Sequence, residues 1–307
     1  MEDGSMQNSI SFPQMIELSL NGLTNLKSFY PGKHTLECPS LQILSVYQCE
    51  ALRMFSFNHL VFSELDQVDE IHDMAFQIAL FSFEKVSPNL KELSLYAKDA
   101  LKILNGYCRE NLFHNVEVLR LQCFEETPIT FLNGFHAMFP NVVTLQVRGS
   151  SSETLFLTAA SDPLYSQSSK KIRNLWLFEL EQLRFIWQED FPVDHFVVQY
   201  LEGLSIGSCP NLITLINEDK SEEDIIFENL EILDITSLSS LRSFCYGKQT
   251  FIFPSLLHLI VQGCPQMEIF SSGVTVAPFL TAVKVENEKK RWKVDLNTTI
   301  KQLFVDQ

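Results

Sequence analysis

Apolar residues alternate with polar ones in short blocks, and the blocks themselves return about every 25 residues. The clearest copies read Leu44-Ser45-Val46-Tyr47-Gln48-Cys49, Leu204-Ser205-Ile206-Gly207-Ser208-Cys209 and Leu259-Ile260-Val261-Gln262-Gly263-Cys264. A period of two predicts a short strand whose framework residues share one face, with the intervening residues on the other. The residues after each block predict a turn and a return segment.

Further copies keep the register. One begins at Phe12-Pro13 and continues through Leu18, Leu20, Leu23, Leu26 and Phe29; the next, preceded by Cys38-Pro39, adds Leu41, Leu52 and Phe55. Less regular ones run Leu90, Leu93, Leu95, Leu101 and Leu104, with Lys98 in the cysteine slot; then Val116, Leu119, Leu121 and Phe124; then Phe139-Pro140, Val142, Leu145 and Val147. The second half is cleaner: Ile172 to Ile186 through Leu175 and Leu177, Leu201 to Leu215, Phe227 to Phe244, Phe253 to Phe270, and a short copy at Leu280, Val283 and Val285. This is a leucine-rich repeat pattern of about ten to eleven copies. A unit so short cannot bury its own apolar residues, so copies must stack. The expected fold is an α/β leucine-rich repeat solenoid, a horseshoe with a parallel sheet on its concave face and irregular or short helical segments on the convex one.

Phenylalanine is abundant, at 25 residues, and falls mostly before the strands or at the end of the return segments, where wide rings fill the core. Residues 57–83 fit poorly and are expected to form one degenerate coil, because Leu44 and Leu93 lie two repeat lengths apart. Gly149-Ser150-Ser151-Ser152, Ser166-Gln167-Ser168-Ser169 and the acidic run from Asn217 to Asp224 read as loops. The expected organisation is a disordered leader at 1–11 and one repeat domain at 12–307, closed by a short capping segment near 295–307. The first copy has no evident cap, which points to a fragment, a truncated product or a chain that docks to something.

The formal charge of −15 argues against nucleic acid and anionic membrane surfaces as partners. Lys289-Lys290-Arg291-Trp292-Lys293 is the basic exception and reads as a solvated edge. No stretch is long and apolar enough to span a bilayer. The acidic start is the reverse of a signal peptide, so a cytoplasmic location is expected. The seven cysteines are odd in number, and Cys49, Cys209 and Cys264 recur in one slot after the strand. A free thiol there serves as a small buried group that bonds weakly to the turning backbone.

Signs of chemistry are sparse. Gly32-Lys33 and Gly247-Lys248 lack the rest of a phosphate loop, and the histidines form neither a metal pair nor a hydrolase elbow. His258 precedes Leu259 on a strand and reads as an ordinary outward residue. Glu125-Glu126 and Glu222-Glu223 are neighbours in loops without fixed geometry. No catalytic residue, metal ligand or cofactor is expected.

What remains is the outward side of the strands. Its columns read Ser19 and Asn21, Ser45 and Tyr47, Ser94 and Tyr96, Arg120 and Gln122, Gln146 and Arg148, Trp176 and Phe178, Ser205 and Gly207, Asp234 and Thr236, Ile260 and Gln262. Tyr47, Tyr96, Arg120, Gln122, Gln146, Arg148, Trp176 and Phe178 are the candidate protein-binding residues, since aromatic and arginine side chains dominate binding hot spots. Two readings of Trp176 and Phe178 stand: binding surface, or cover for an irregular coil beside the serine-rich insert.

The Cys209-Pro210-Asn211-Leu212 and Cys264-Pro265-Gln266-Met267 blocks carry a family resemblance, as do Pro88-Asn89-Leu90-Lys91-Glu92-Leu93, Phe139-Pro140-Asn141-Val142 and the ending Asp295-Leu296-Asn297 through Leu303-Phe304. Over nearly its whole length the chain resembles the C-terminal leucine-rich repeat region of plant coiled-coil nucleotide-binding disease-resistance proteins. The resemblance implies recognition of a pathogen effector or a modified host protein, and restraint of a nucleotide-binding switch in cis or in trans. The chain departs from the whole family receptor in having no phosphate loop and no N-terminal coiled coil. The alternative is a scaffold or substrate receptor in ubiquitin ligation, for which the first eleven residues are too short to hold an F-box.

Overall fold

The computed structural model describes residues 9–28, 35–49, 51–52, 54–56, 81–82, 88–96, 100, 113–124, 138–151, 153, 172–187, 199–217, 224–286 and 289–305. The chain divides into two compact units, Met1–Leu119 with Ala137–Asn141 and Arg120–His136 with Val142–Gln307. The architecture is a mostly-strand parallel β-solenoid.

In the first unit β1 (Ser9–Ser11), β2 (Glu17–Asn21), β3 (Thr35–Glu37), β4 (Ile43–Tyr47), β5 (Phe55–Ser56), β6 (Phe81–Ser82) and β7 (Glu92–Tyr96) are shared between two ladders. The main ladder joins β2 to β4 and β4 to β7, all parallel. The other runs β1-β3-β6-β5. β8 (Val118–Phe124) contains the boundary between the units; the amides of its first residue, Val118, and of Glu117 just before it both donate to Lys91 O.

The direct pairing of β4 with β7 corrects the expected extra coil at 57–83. Ile43 is in register with Glu92 and Leu44 with Leu93, and Asn89 Nδ2 reaches Pro39 O at 3.1 Å. No coil of the main ladder therefore stands between β4 and β7. Residues 57–80 lie outside the described residues, but β5 and β6 on either side pair with each other. A solenoid accepts such an insertion because only the pairing residues of a coil must meet its neighbours. Ser9–Ser11, placed in the leader by sequence, form β1 and pair with β3.

The second unit contains β9 (Thr144–Ser150), β10 (Asn174–Phe178), β11 (Gly203–Gly207), β12 (Thr214–Ile216), β13 (Ile225–Ile226), β14 (Ile232–Thr236), β15 (Ser243–Cys245), β16 (Phe251–Ile252), β17 (His258–Gln262), β18 (Thr275–Val276), β19 (Val283–Lys284), β20 (Lys290–Arg291) and α1 (Leu296–Val305). Its main ladder is β9-β10-β11-β14-β17-β19, with β20 added antiparallel at the edge. Return segments form two further parallel ladders, β12-β15 and β13-β16-β18. Irregular or short helical return segments were expected; β-branched and aromatic sequences such as Ile225-Ile226-Phe227 and Phe251-Ile252-Phe253 form short strands instead. Gly149 and Ser150, expected in a loop, belong to β9, and Ser150 is buried.

Inward residues of the main strands are sealed: Leu175, Leu177, Leu204, Ile206, Leu233, Ile235 and Leu259 are all 0% exposed. Each contributes roughly 1.5–3 kcal/mol. Rings fill the remaining core as the sequence predicted. Phe227 stacks on Phe253 at 4.9 Å, Phe244 on Phe270 at 4.9 Å, and in the first unit Phe113 on Phe139 at 5.1 Å.

Seven coils turn at one repeated slot at or just after the end of the main strand, Gly149 still within β9 and the other six directly after theirs. Gly22, Gln48, Gly149, Glu179, Ser208, Ser237 and Gly263 all hold φ between 50 and 70°. The left-handed conformation lets the backbone turn while its amide stays in the ladder, as when Ser208 N donates to Thr236 O and Ser237 N to Gln262 O. The cysteines follow immediately. The Sγ of Cys49, Cys209 and Cys264 donates to Tyr47 O, Gly207 O and Gln262 O at 3.2, 3.3 and 3.4 Å. All three are buried and free, and burial pushes the Cys209 and Cys264 thiols up to about 11.

Asparagine and serine stitch successive turns. Asn115, Asn141, Asn229 and Ser255 donate to Pro88 O, His114 O, Gln199 O and Glu228 O, one coil earlier in each case. At the far end α1 is capped by Asp295, whose Oδ1 accepts from Thr298 N at 2.7 Å. Asn297, in the first turn of α1, faces the last coil: its Oδ1 accepts from Phe270 N and Ser271 N, and its Nδ2 donates to Ser271 O. One side chain thereby substitutes for a further strand of backbone.

Candidate functional site

The outward residues of the main strands form straight lateral rows, because the pairing carries no register slip. In the second unit one row runs Gln146, Trp176, Ser205, Asp234, Ile260 and Lys284, and the next runs Arg148, Phe178, Gly207, Thr236 and Gln262. A third, one step earlier, runs Thr144, Asn174, Gly203, Ile232 and His258. Adjacent members sit about 4.8 Å apart across the sheet.

The candidate residues fare differently. Gln146, Trp176 and Phe178 are half-buried and outward, on strands whose alternate residues are sealed. Arg148 is not an open cation: its guanidinium makes a two-pronged pair with Glu179, Nε to Oε2 at 2.6 Å and Nη2 to Oε1. That geometry fixes the side chain along the sheet. Arg120 is half-buried and Gln122 buried at 6% exposure, and both already interact within the chain. Gln122 is thus withdrawn from the surface on which its place in the alternation set it.

In the first unit Tyr47 is half-buried and outward. Tyr96 is 9% exposed and accepts a hydrogen bond from Cys49 N at 2.8 Å through its hydroxyl. It serves the turn after β4 and does not present its ring to a partner. Ser94 beside it is fully buried, so β7 is covered on both faces. Alternation alone gives the side on which a residue emerges and says nothing of what lies over it.

Two glycines that the sequence reading passed over shape the surface. A Cβ on Gly207 would stand 2.9 Å from Phe178 Cδ1, and one on Gly203 would stand 2.6 Å from Asn174 Oδ1. The ring of Phe178 and the amide of Asn174 therefore lie against β11, in space that a Cβ at either glycine would make them give up. Repeated small residues at 203, 205 and 207 were the available signal. Asn174 Nδ2 also reaches Thr144 Oγ1 at 3.4 Å.

Two further concavities lie in the second unit, the smaller of them reaching the end of one row at Gln262. One of about 780 Å³ runs over the turns and is lined by Arg184, Arg242, Asn211, Gln266 and Glu153 among others. A smaller one of about 300 Å³ lies beside α1, between Met267, Ile300 and Leu303 with Lys289 and Arg291 at its rim. Among the described residues no three metal-binding side chains gather, and no helix is long and apolar enough to cross a membrane. His258 is exposed, and the basic run forms the exposed edge strand β20 and its continuation.

Comparison with protein-family models, with curated proteins and with solved structures gives no match for this chain.

Proposed function

We propose that the chain is a non-enzymatic, protein-recognising leucine-rich repeat module of the plant disease-resistance kind, acting in the cytoplasm. The main sheet is read as the concave face of a horseshoe, and its outward rows as the surface that meets a pathogen effector or a modified host protein. One observation carries this reading. Inward positions are uniformly Leu, Ile or Val, whereas the row at Gln146, Trp176, Ser205, Asp234 and Ile260 changes chemistry at every step. A core held constant beneath a row free to vary suits selection for binding specificity.

The resemblance of the cysteine-proline blocks and of the closing segment supports the immune role, which includes restraint of a nucleotide-binding switch supplied by another polypeptide segment. The test is co-expression in leaf tissue with a nucleotide-binding half of that receptor class that triggers cell death on its own. The chain is expected to co-purify with that half and suppress the death. Undiminished death without co-purification would remove the regulatory role.

A further inference from the structure

Trp176, Ser205 and Asp234 stand side by side in one lateral row on β10, β11 and β14. Each is half-buried and outward between sealed neighbours on its strand. The backbones of Trp176 and Asp234 are about 10 Å apart, two strand spacings, and the hydroxymethyl of Ser205 is all that rises between them. Along β11 the floor is closed at both ends, by Asn174 over Gly203 and by Phe178 over Gly207. The row therefore sets the small Ser205 between a tryptophan and an aspartate, a cell one side chain wide whose flanking strands carry an indole and a carboxylate.

The carboxylate is not neutralised from within. Asp234 accepts from Thr236 Oγ1 at 2.5 Å through Oδ1, and among the described residues it has no ion pair. The nearest cations of these rows are otherwise placed: Arg148 is held by Glu179, and Ile260 stands between Asp234 and Lys284. A gap of two strand spacings admits one planar guanidinium or one alkylammonium stem in contact with the indole, with its charge toward Asp234.

We propose that this cell receives one basic side chain of a protein partner, arginine before lysine, stacked on Trp176 and paired with Asp234. The proposal rests on the outward rows being the partner-binding face and adds the chemistry of the partner. The formal charge of −15 favours approach of a basic surface. Arginine is preferred because its flat fork stacks and pairs at once, whereas lysine offers a point charge.

The experiment titrates the full chain with the capped peptide acetyl-Gly-Arg-Gly-amide and with its neutral citrulline counterpart, following the indole N–H resonances of the three tryptophans. Trp176→Phe identifies the signal of interest. The Trp176 resonance is expected to shift and saturate with the arginine peptide and to respond about tenfold more weakly to citrulline. Asp234→Asn should reproduce that tenfold loss, and Ser205→Leu should block the cell while the buried Trp187 signal stays in place. Equal shifts by the two peptides, or an arginine response unchanged in Asp234→Asn, would overturn the proposal. No partner is present in this titration, so its failure removes the cell and leaves the wider reading of the rows to its own test.

Discussion

Replacing Phe244 with alanine tests the packing that makes stacked coils cooperative. The ring is fully buried and touches aromatic neighbours on its own coil and the next: Phe270 stacked at 4.9 Å, Phe251 edge-on at 5.5 Å, and Phe227 and Phe253 each edge-on at 5.8 Å. A buried Phe→Ala change costs about 3–5 kcal/mol, and the upper part of that range applies where the walls cannot collapse. Here the walls are rings anchored on separate strands, so about 4–5 kcal/mol is expected. Phe279→Ala, at a ring 62% exposed, should stay within about 0.5 kcal/mol. Urea unfolding followed by Trp187 fluorescence is the assay, because that indole packs edge-on against Phe227 at 6.4 Å and reports this cluster. A Phe244/Phe270 double-mutant cycle should add a coupling of about 0.5–1.5 kcal/mol. Equal losses from Phe244→Ala and Phe279→Ala would refute the reasoning.

At the left-handed slot, Ser208→Gly should stabilise by up to about 1 kcal/mol, since relief of about 1–2 exceeds glycine's entropic cost of about 0.5–1. Gly263→Ala, whose new Cβ would stand 3.3 Å from Ser237 Cα, should cost about 1–2 kcal/mol; thermal melts of the pair decide both signs. The thiols of Cys209 and Cys264 titrate near 11 in the fold because burial disfavours the thiolate, against about 9 when unfolded. The folded state then holds more protons between these values, so their contribution is complete below about pH 9 and is lost as pH rises through about 11. Wild type should lose stability more steeply over that window than the Cys209→Ala/Cys264→Ala variant; parallel curves would contradict the assignment. Asn297→Ala should cost about 1–3 kcal/mol by leaving Phe270 N and Ser271 N unpartnered, more than the roughly 1 kcal/mol of removing the Asp295 cap, as measured by urea unfolding.

Much of the fold was legible because its signals are local. The alternation at Leu204-Ser205-Ile206 fixes strand, face and turn together, and the structure keeps that register from β9 to β17. The recurring cysteine needed only its position in the slot to be read as a buried thiol. Features set by which coil neighbours which were less accessible. Spacing alone could not show that β4 pairs directly with β7, since an inserted segment and a degenerate coil have the same length. Nor could it show that Tyr96 turns back to Cys49 N, or that Glu179 captures Arg148. The stitching of turns was visible in principle, because Pro88-Asn89, Pro140-Asn141 and Pro254-Ser255 recur before the strands. Its meaning needed the preceding carbonyl one coil away. The same holds for Gly203 and Gly207, whose meaning needed Asn174 and Phe178 on the neighbouring strand.

Site-specific photocrosslinking in leaf tissue challenged with a pathogen tests the recognition claim most directly. A benzophenone side chain placed at Gln146 or Thr236 on the outward rows should yield the same discrete protein adduct, and one at exposed Val276 on the lateral ladder should not. Adducts arising only from Val276, or equally from all three positions, would contradict the assignment of the main sheet as the recognition surface.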